Sequence, residues 1–209
     1  GPLMAFEGLT AFFLEASFLG VLLFGRKLVP PWAHCFAAAM VAVGTLFSSF
    51  WILALNSWMQ TPAGYEIIDG RFHAVDWTAV IFNPSFPFRI SHTVTAFLVT
   101  TGFVVVGVAG YYLRRERATA EARKMLSMTL WLLTFLVPLQ IVIGDLHGLN
   151  TFHQQPAKLA AMEGHWETQS GAPLIVVGWP DHQAEVTRWA FEVPYLGSLI
   201  LTHKLDGTV

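Results

Sequence analysis

Four long apolar stretches dominate the pattern of hydrophobic and polar positions along the chain. The hydrocarbon layer of a bilayer is about 30 Å thick, so a helix that rises about 1.5 Å per residue needs about 20 apolar residues to cross it. Stretches of that length predict transmembrane helices at about 8–25, 33–56, 90–113 and 125–144. We therefore expect an all-α integral membrane fold, with four transmembrane helices of a larger helical bundle plus an extramembrane segment.

The residues after the fourth stretch predict a second region. Residues 145–209 mix Pro, Trp, His and acidic residues and contain no further span. This composition indicates a folded extramembrane segment, because a flexible linker is rich in Gly and Ser. We divide the chain into a helical bundle portion, 1–144, and this segment. Both chain ends are abrupt and the first residues lack the basic region of a signal peptide, so we expect an internal fragment of a longer protein.

Composition excludes several classes of protein. Hydrophobic residues make up 54% of the chain and charged residues 12%, whereas soluble domains have about 25% charged residues. The net charge is −2, and the 12 Lys and Arg residues are too dispersed to bind a phosphate backbone, so we expect no nucleic-acid partner. The single cysteine, Cys35, excludes an internal disulfide and a cysteine-ligated cluster.

The basic residues predict how the chain is oriented in the bilayer. Cytoplasmic loops carry an excess of Lys and Arg. Seven of the 12 cations lie in the short turns after the first and third helices, so we place those turns in the cytoplasm and the long segments 57–89 and 145–209 outside. These seven are Arg26, Lys27, Arg114, Arg115, Arg117, Arg123 and Lys124.

Two carboxylates lie in the first predicted helix. Glu7 is at its outer edge and Glu15 near its middle, where a charge costs at least a few kcal/mol. Their spacing corresponds to about 12 Å along a helix and about 80° around it, so both can face one bundle interior. Glu15 must be protonated, hydrogen-bonded to another helix, or bound to a metal or haem. For Glu7, an interfacial acid in contact with water is an open alternative.

One histidine lies near the outer end of the third predicted helix. His92 is followed by small residues at Thr95, Gly102 and Gly107, which suits an axial haem ligand with room for a porphyrin. A histidine hydrogen-bonded at the membrane interface explains the spacing equally well.

The second predicted helix carries isolated polar residues. For these we favour packing or backbone hydrogen bonding over a proton relay. They are His34, Ser48, Ser49 and Asn56.

A short amphipathic helix is predicted after Pro156, a residue suited to a first helical turn. Leu159, Met162 and Trp166 are spaced to form one apolar face. With the charges of Lys158, Glu163 and Glu167, this helix is suited either to cradling an amphiphilic substrate or to lying on lipid.

Several motifs, spread over the whole chain, resemble subunit I of the cytochrome bd quinol oxidases. The sequences from Gly144 to Gly148 and from Glu163 to Trp166 are most similar to the cyanide-insensitive branch of this family. In order, the motifs are Glu7-Gly8-Leu9, Ala11-Phe12-Phe13-Leu14-Glu15, Trp51-Ile52-Leu53, Asn56-Ser57-Trp58-Met59-Gln60-Thr61-Pro62, His92-Thr93-Val94, Lys158-Leu159-Ala160-Ala161-Met162-Glu163 and Trp166-Glu167-Thr168.

The resemblance implies roles for five residues. His92 matches the axial ligand of the low-spin haem b, and Glu7 matches a carboxylate that ligates or contacts a high-spin haem iron. Glu15 matches the second carboxylate of that helix, which belongs to the high-spin haem region and its proton supply. Lys158 and Glu163 match the Lys and Glu of a periplasmic loop that binds and oxidises quinol.

The resemblance also implies cofactors, partners and a location. The cofactors are a low-spin haem b, a high-spin haem b and haem d, and the substrates are ubiquinol or menaquinol and oxygen. The partners are oxidase subunit II, a small accessory subunit and the lipid bilayer of the bacterial inner membrane. Further haem ligands of the family lie outside residues 1–209, so we expect the fragment alone to be inactive.

Two rival functions remain open from the sequence. A haem-free transporter would use Glu15 as a coupling carboxylate, although such proteins are expected to show an internal repeat and none is visible. A non-catalytic b-type cytochrome subunit would carry one haem through His92 and would not react with oxygen.

Overall fold

A computed structural model describes all residues from Gly1 to Val209 and is mostly helical. The chain divides into two compact units, 1–137 and 138–209. The elements are α1 (Pro2–Glu7), a π-helical turn (Gly8–Phe12), α2 (Phe13–Phe24), a 3₁₀ turn (Gly25–Lys27), α3 (Pro31–Gln60), β1 (Tyr65–Ile68), β2 (Arg71–Ala74), α4 (Trp77–Ile81), α5 (Phe86–Arg114), α6 (Thr119–Gln154), α7 (Pro156–Glu163), β3 (Leu174–Asp181), β4 (Val186–Val193) and α8 (Leu196–Thr202).

Four helical segments are long and apolar enough to cross a membrane: Pro2–Lys27, Pro31–Gln60, Phe86–Arg114 and Thr119–Gln154. The predicted all-α membrane fold is therefore confirmed. Each segment is longer than its predicted apolar stretch, because the helical backbone continues beyond the stretch at its ends. The difference is largest for α6, which continues past the predicted end at 144, so the first ten residues of the predicted 145–209 segment are helical.

The core of the first unit lies around the C-terminal half of α3. Ala54 of α3 is buried together with Leu3 and Val80. The rings of Phe50 and Phe86 pack edge to face with centroids 5.2 Å apart. Burying large aromatic side chains of this kind contributes about 1.5–3 kcal/mol each where water is the alternative solvent. These contacts fix the start of α5 against α3.

The segment between α3 and α5 has more structure than the loop that the apolar pattern predicted. The strands β1 and β2 pair as an antiparallel hairpin, whose turn residues Asp69 and Gly70 have φ values of 50° and 72°. Two successive positive φ values match the turn type that suits the twist of a two-residue hairpin. Asp76 then caps α4 by accepting hydrogen bonds from the backbone N–H groups of Thr78 and Ala79.

A buried asparagine joins this segment to the end of α3. Asn83 is 1% exposed. Its Nδ2 donates to Ser57 Oγ at 2.9 Å and to Val80 O at 3.1 Å, and its Oδ1 accepts from Thr61 Oγ1 at 3.2 Å. Because buried polar groups must be hydrogen-bonded, this network sets where α5 begins relative to the end of α3.

The second unit contains a hairpin of β3 and β4 beside the end of α7. Thr187 of β4 donates its hydroxyl to Gly164 O at 2.7 Å, just after α7. At the hairpin turn, Asp181 accepts from the backbone N–H of Ala184 and from Arg188 Nε, and these hydrogen bonds lower the pKa of Asp181. The apolar pattern predicted a folded segment here, but neither strand.

Candidate functional site

The first membrane-spanning segment contains a π-helical turn between its two carboxylates. Glu7 ends α1, the turn covers Gly8–Phe12, and Glu15 lies in the first turn of α2. A π-turn closes hydrogen bonds from residue i to i+5 and so takes up about one residue more than an α-turn. The eight residues from Glu7 to Glu15 therefore complete about two turns, which places both carboxylates on one face more closely than a regular helix would.

Both carboxylates are hydrogen-bonded to hydroxyl groups of α3. Ser48 Oγ donates to Glu7 Oε1 at 2.9 Å, and Thr45 Oγ1 donates to Glu15 Oε1 at 2.6 Å. Both glutamates are half-buried. The two carboxylates are eight residues apart on their own segment, yet their donors are only three residues apart on α3. The side chains therefore converge on one turn of α3.

The backbone of α3 comes close to Glu15 at a glycine. A Cβ at Gly44 would lie 3.2 Å from Glu15 Cβ and 3.3 Å from its Cα and N. Small residues allow such close approach between membrane helices. Gly44 thus sets the distance at which Thr45 reaches the Glu15 carboxylate.

His92 lies in the second turn of α5 and is half-buried. The expectation that Gly102 leaves room for a porphyrin is wrong, because a Cβ there would lie 2.8 Å from Leu133 Cδ2, so Leu133 already fills that space. Gly107 has no atom within 4 Å of its Cβ position and remains open. No three His, Cys, Asp or Glu side chains come together as a metal-ion site, so His92 is a single candidate ligand.

An arginine that the sequence analysis did not single out lies one turn before His92. Arg89 Nη1 donates to Asn56 Oδ1 at 2.8 Å, while its Nε is buried without an acceptor. In the sequence, Arg89 could have been recognised as a cation at the start of an apolar helix, three residues before His92. Arg89 and Asn56 thus belong to the surroundings of His92.

The polar residues of α3 fall into two groups according to their hydrogen-bond partners. Ser49 Oγ donates to Thr45 O at 2.6 Å, and His34 Nε2 lies 2.9 Å from Leu22 O, so both make the backbone contacts that we favoured. Ser48, in contrast, contacts a carboxylate of the neighbouring segment. Hydroxyl residues one position apart therefore differ in their partners.

Lys158 and Glu163 both lie on α7. Five residues along a helix correspond to about 140° around its axis, so their side chains leave α7 on different sides. Lys158 is exposed and Glu163 is half-buried. The structure therefore does not bring these two candidate quinol residues onto one face.

The predicted apolar face of α7 is incorrect for one of its three residues. Leu159 and Met162 both lie on α7, where Leu159 is buried and Met162 is 68% exposed. The helix ends at Glu163 and is followed by Gly164, whose φ of 73° stops helical propagation, so Trp166 lies outside α7. There its Nε1 donates to Thr187 Oγ1 at 3.1 Å.

A cleft of about 220 Å³ lies beside α7. The Nε2 of His165 is buried without a hydrogen-bond partner at this cleft, and neither Lys158 nor Glu163 lines it. Its lining consists of Phe152, Pro156, Ala157, Leu159, Ala160, His165, Trp166, Glu167, Thr168 and Val209.

Comparison with known proteins places these residues in a family context. The family model described as cytochrome bd terminal oxidase subunit I matches residues 1–209. The chain is 34% identical over 212 residues to the cytochrome bd-II ubiquinol oxidase subunit 1 of Escherichia coli (strain K12), covering 100% of this chain and 41% of that protein. It is 32% identical over 203 residues to the putative cytochrome bd menaquinol oxidase subunit I of Bacillus subtilis (strain 168), covering 95% and 46%.

A solved structure is similar over almost the whole chain. The bd oxidase from Geobacillus thermodenitrificans superimposes with a TM-score of 0.78 at 31% identity, covering 99% of this chain and 48% of that one. The chain thus spans less than half the length of the relatives it matches.

Proposed function

The chain belongs to the cytochrome bd terminal oxidase subunit I family, and on that basis we propose that it is the haem-containing subunit of a terminal quinol oxidase. In this proposal the complete complex oxidises quinol at the periplasmic face of the bacterial inner membrane and reduces oxygen to water. It is thus a quinol:oxygen oxidoreductase. The relatives named as ubiquinol and menaquinol oxidases support a quinol substrate.

One observation supports this proposal most directly: two carboxylates of a membrane helix converge on hydroxyl groups of α3. Reducing oxygen to water consumes protons, and a carboxylate inside a membrane is a means of delivering them. Glu15, held by Thr45 at 2.6 Å, is positioned to accept and release a proton within the membrane-spanning segment. We assign it the proton supply, and we assign Glu7 to the iron of a high-spin haem.

We propose a low-spin haem b, a high-spin haem b and haem d as the cofactors. When bound, they supply one-electron redox chemistry. His92 would hold the low-spin haem iron through an imidazole nitrogen. The surroundings of His92 fit such a group, because the Nε of Arg89, one turn away on α5, is buried without an acceptor.

The quinol residues act from different sides of α7 in this proposal. Glu163 accepts the proton of a quinol hydroxyl as a general base. Lys158, which leaves α7 on another side, is assigned to quinol binding and not to the hydroxyl that Glu163 deprotonates. We propose that oxidase subunit II and a small accessory subunit complete the complex.

Replacing Glu163 tests the quinol site. In the complete oxidase, we expect Glu163→Gln to lower quinol-dependent oxygen consumption by about 10²-fold, the lower end of the range for losing a general base, with unchanged visible haem spectra. The control is Glu66→Gln, which neutralises an exposed carboxylate of β1, in the segment between α3 and α5. Wild-type oxygen consumption by the Glu163 variant would exclude Glu163 from quinol oxidation.

A further inference from the structure

Arg89 carries a charge whose electrostatic partner is missing from this chain. It lies in the first turn of α5, at the end of this helix that adjoins the long segment 57–89. The two ion pairs of the structure, Arg188–Asp181 and His203–Asp145, join other residues. The guanidinium donates from Nη1 to the neutral Asn56, and its Nε is buried without an acceptor. No carboxylate of this chain therefore pairs with Arg89.

The part of the guanidinium that contains Nε has a defined geometry. An arginine binds a carboxylate with two parallel hydrogen bonds, one arrangement using the edge that carries Nε and Nη2. Asn56 binds Nη1, which lies at the other edge. The bond to Asn56 therefore orients Arg89 and leaves the carboxylate-binding edge available at Nε.

The position of Arg89 identifies which carboxylate it suits. Arg89 precedes His92 by three residues of α5, which is about 4.5 Å along the helix and about 60° around it, so both side chains share one face. A haem carries two propionate carboxylates on one edge of its ring. If His92 held the iron and this edge faced the N-terminal end of α5, a side chain one turn away would be within reach of a propionate.

We propose that Arg89, oriented by Asn56, binds a propionate of the haem whose iron His92 holds, and that it raises the reduction potential of that haem. This inference rests on the proposed function, which assigns His92 as the axial ligand. A fixed positive charge near the iron favours the reduced state, which carries one positive charge fewer. Charge and hydrogen bonding around a haem are established means of tuning its potential.

The test is a spectroelectrochemical titration of the low-spin haem in the complete oxidase with its partner subunit. We expect Arg89→Gln to retain the low-spin bands and to lower the equilibrium constant for reduction about tenfold, which corresponds to about 59 mV for a one-electron couple. Arg89→Lys keeps the charge and should shift the potential less. Arg71→Gln, which removes an exposed cation of β2 between α3 and α5, should leave the potential unchanged.

A second variant keeps the inference testable if Arg89→Gln does not assemble. Asn56→Ala retains the guanidinium but removes the hydrogen bond that orients it, so we expect a smaller downward shift. A wild-type potential in Arg89→Gln, or in Asn56→Ala if only that variant assembles, would overturn the inference. Absence of a low-spin haem in the wild-type oxidase is a separate result and would overturn the proposed function itself.

Discussion

At the scale of single residues, hydroxyl groups of α3 determine where the two carboxylates of the first span point. Thr45 and Ser48 each donate to one carboxylate oxygen. A hydrogen bond to a charged group contributes about 1.5–3 kcal/mol, and a buried partner left without it loses at least as much. The position of Glu15 therefore depends on a hydroxyl of another helix.

This dependence predicts the effect of Thr45→Val, which removes the hydroxyl with little change in shape. Without this hydrogen bond Glu15 is less well positioned. If the activation free energy of proton transfer through Glu15 rises by about 1.4 kcal/mol, that transfer becomes tenfold slower. We expect oxygen consumption by the complete oxidase to fall about tenfold at unchanged haem content. Ser49→Ala is the matched control, because the Ser49 hydroxyl bonds only to the backbone of Thr45. Equal turnover of the two variants would contradict the assigned role of Thr45.

The sequence allowed the carboxylates to be found but not their partners. Glu15 stands out because a charge inside an apolar run is visible without a structure. Ser48 and Ser49 look alike in the sequence, and only the direction of each side chain decides which one meets Glu7. Arg89 went unnoticed because its bond to Asn56 joins residues 33 positions apart.

At the scale of elements, the contact between α2 and α3 depends on a glycine. Gly44 faces the Cα, Cβ and N atoms of Glu15 at 3.2–3.3 Å from where its own Cβ would be. Backbone atoms cannot rotate away as a side chain can, so a methyl group here must move the helices apart.

This contact predicts that Gly44→Ala destabilises the protein although alanine favours helices. Overpacking of this kind costs about 1–3 kcal/mol. We expect a lower thermal unfolding midpoint in detergent, accompanied by slower turnover as Thr45 moves away from Glu15. Gly20→Ala is the control, because its Cβ position in α2 has no atom within 4 Å and alanine there gains about 1 kcal/mol of helix propensity. A Gly44 variant as stable as the Gly20 variant would exclude this close contact.

The helices were predictable from the sequence, whereas the smaller elements were not. Span length follows from apolar stretches, so all four helices were found. The π-helical turn at Gly8–Phe12 has no proline to mark it. The strands β1 and β2 have only four residues each and are mostly exposed, so no alternation of buried and exposed positions distinguishes them from a loop. Their pairing depends on the turn at Asp69 and Gly70.

At the scale of the whole molecule, the order of motifs along the chain identified the family, while the positions of two candidate residues required the structure. Lys158 and Glu163 are close in the sequence, but helical geometry turns them to different sides of α7. The chain also spans less than half the length of its relatives. The proposed haem chemistry therefore has to be tested in the complete oxidase.

The most direct test of the oxidase assignment is a dithionite-reduced minus air-oxidised visible spectrum of membranes that contain the complete oxidase and its partner subunit. We predict that His92→Ala loses the low-spin haem b bands and keeps the high-spin bands. His34→Ala, which alters a histidine that contacts a backbone carbonyl, should leave all bands unchanged. A wild-type spectrum without haem bands, or a His92→Ala spectrum that retains the low-spin bands, would contradict this account.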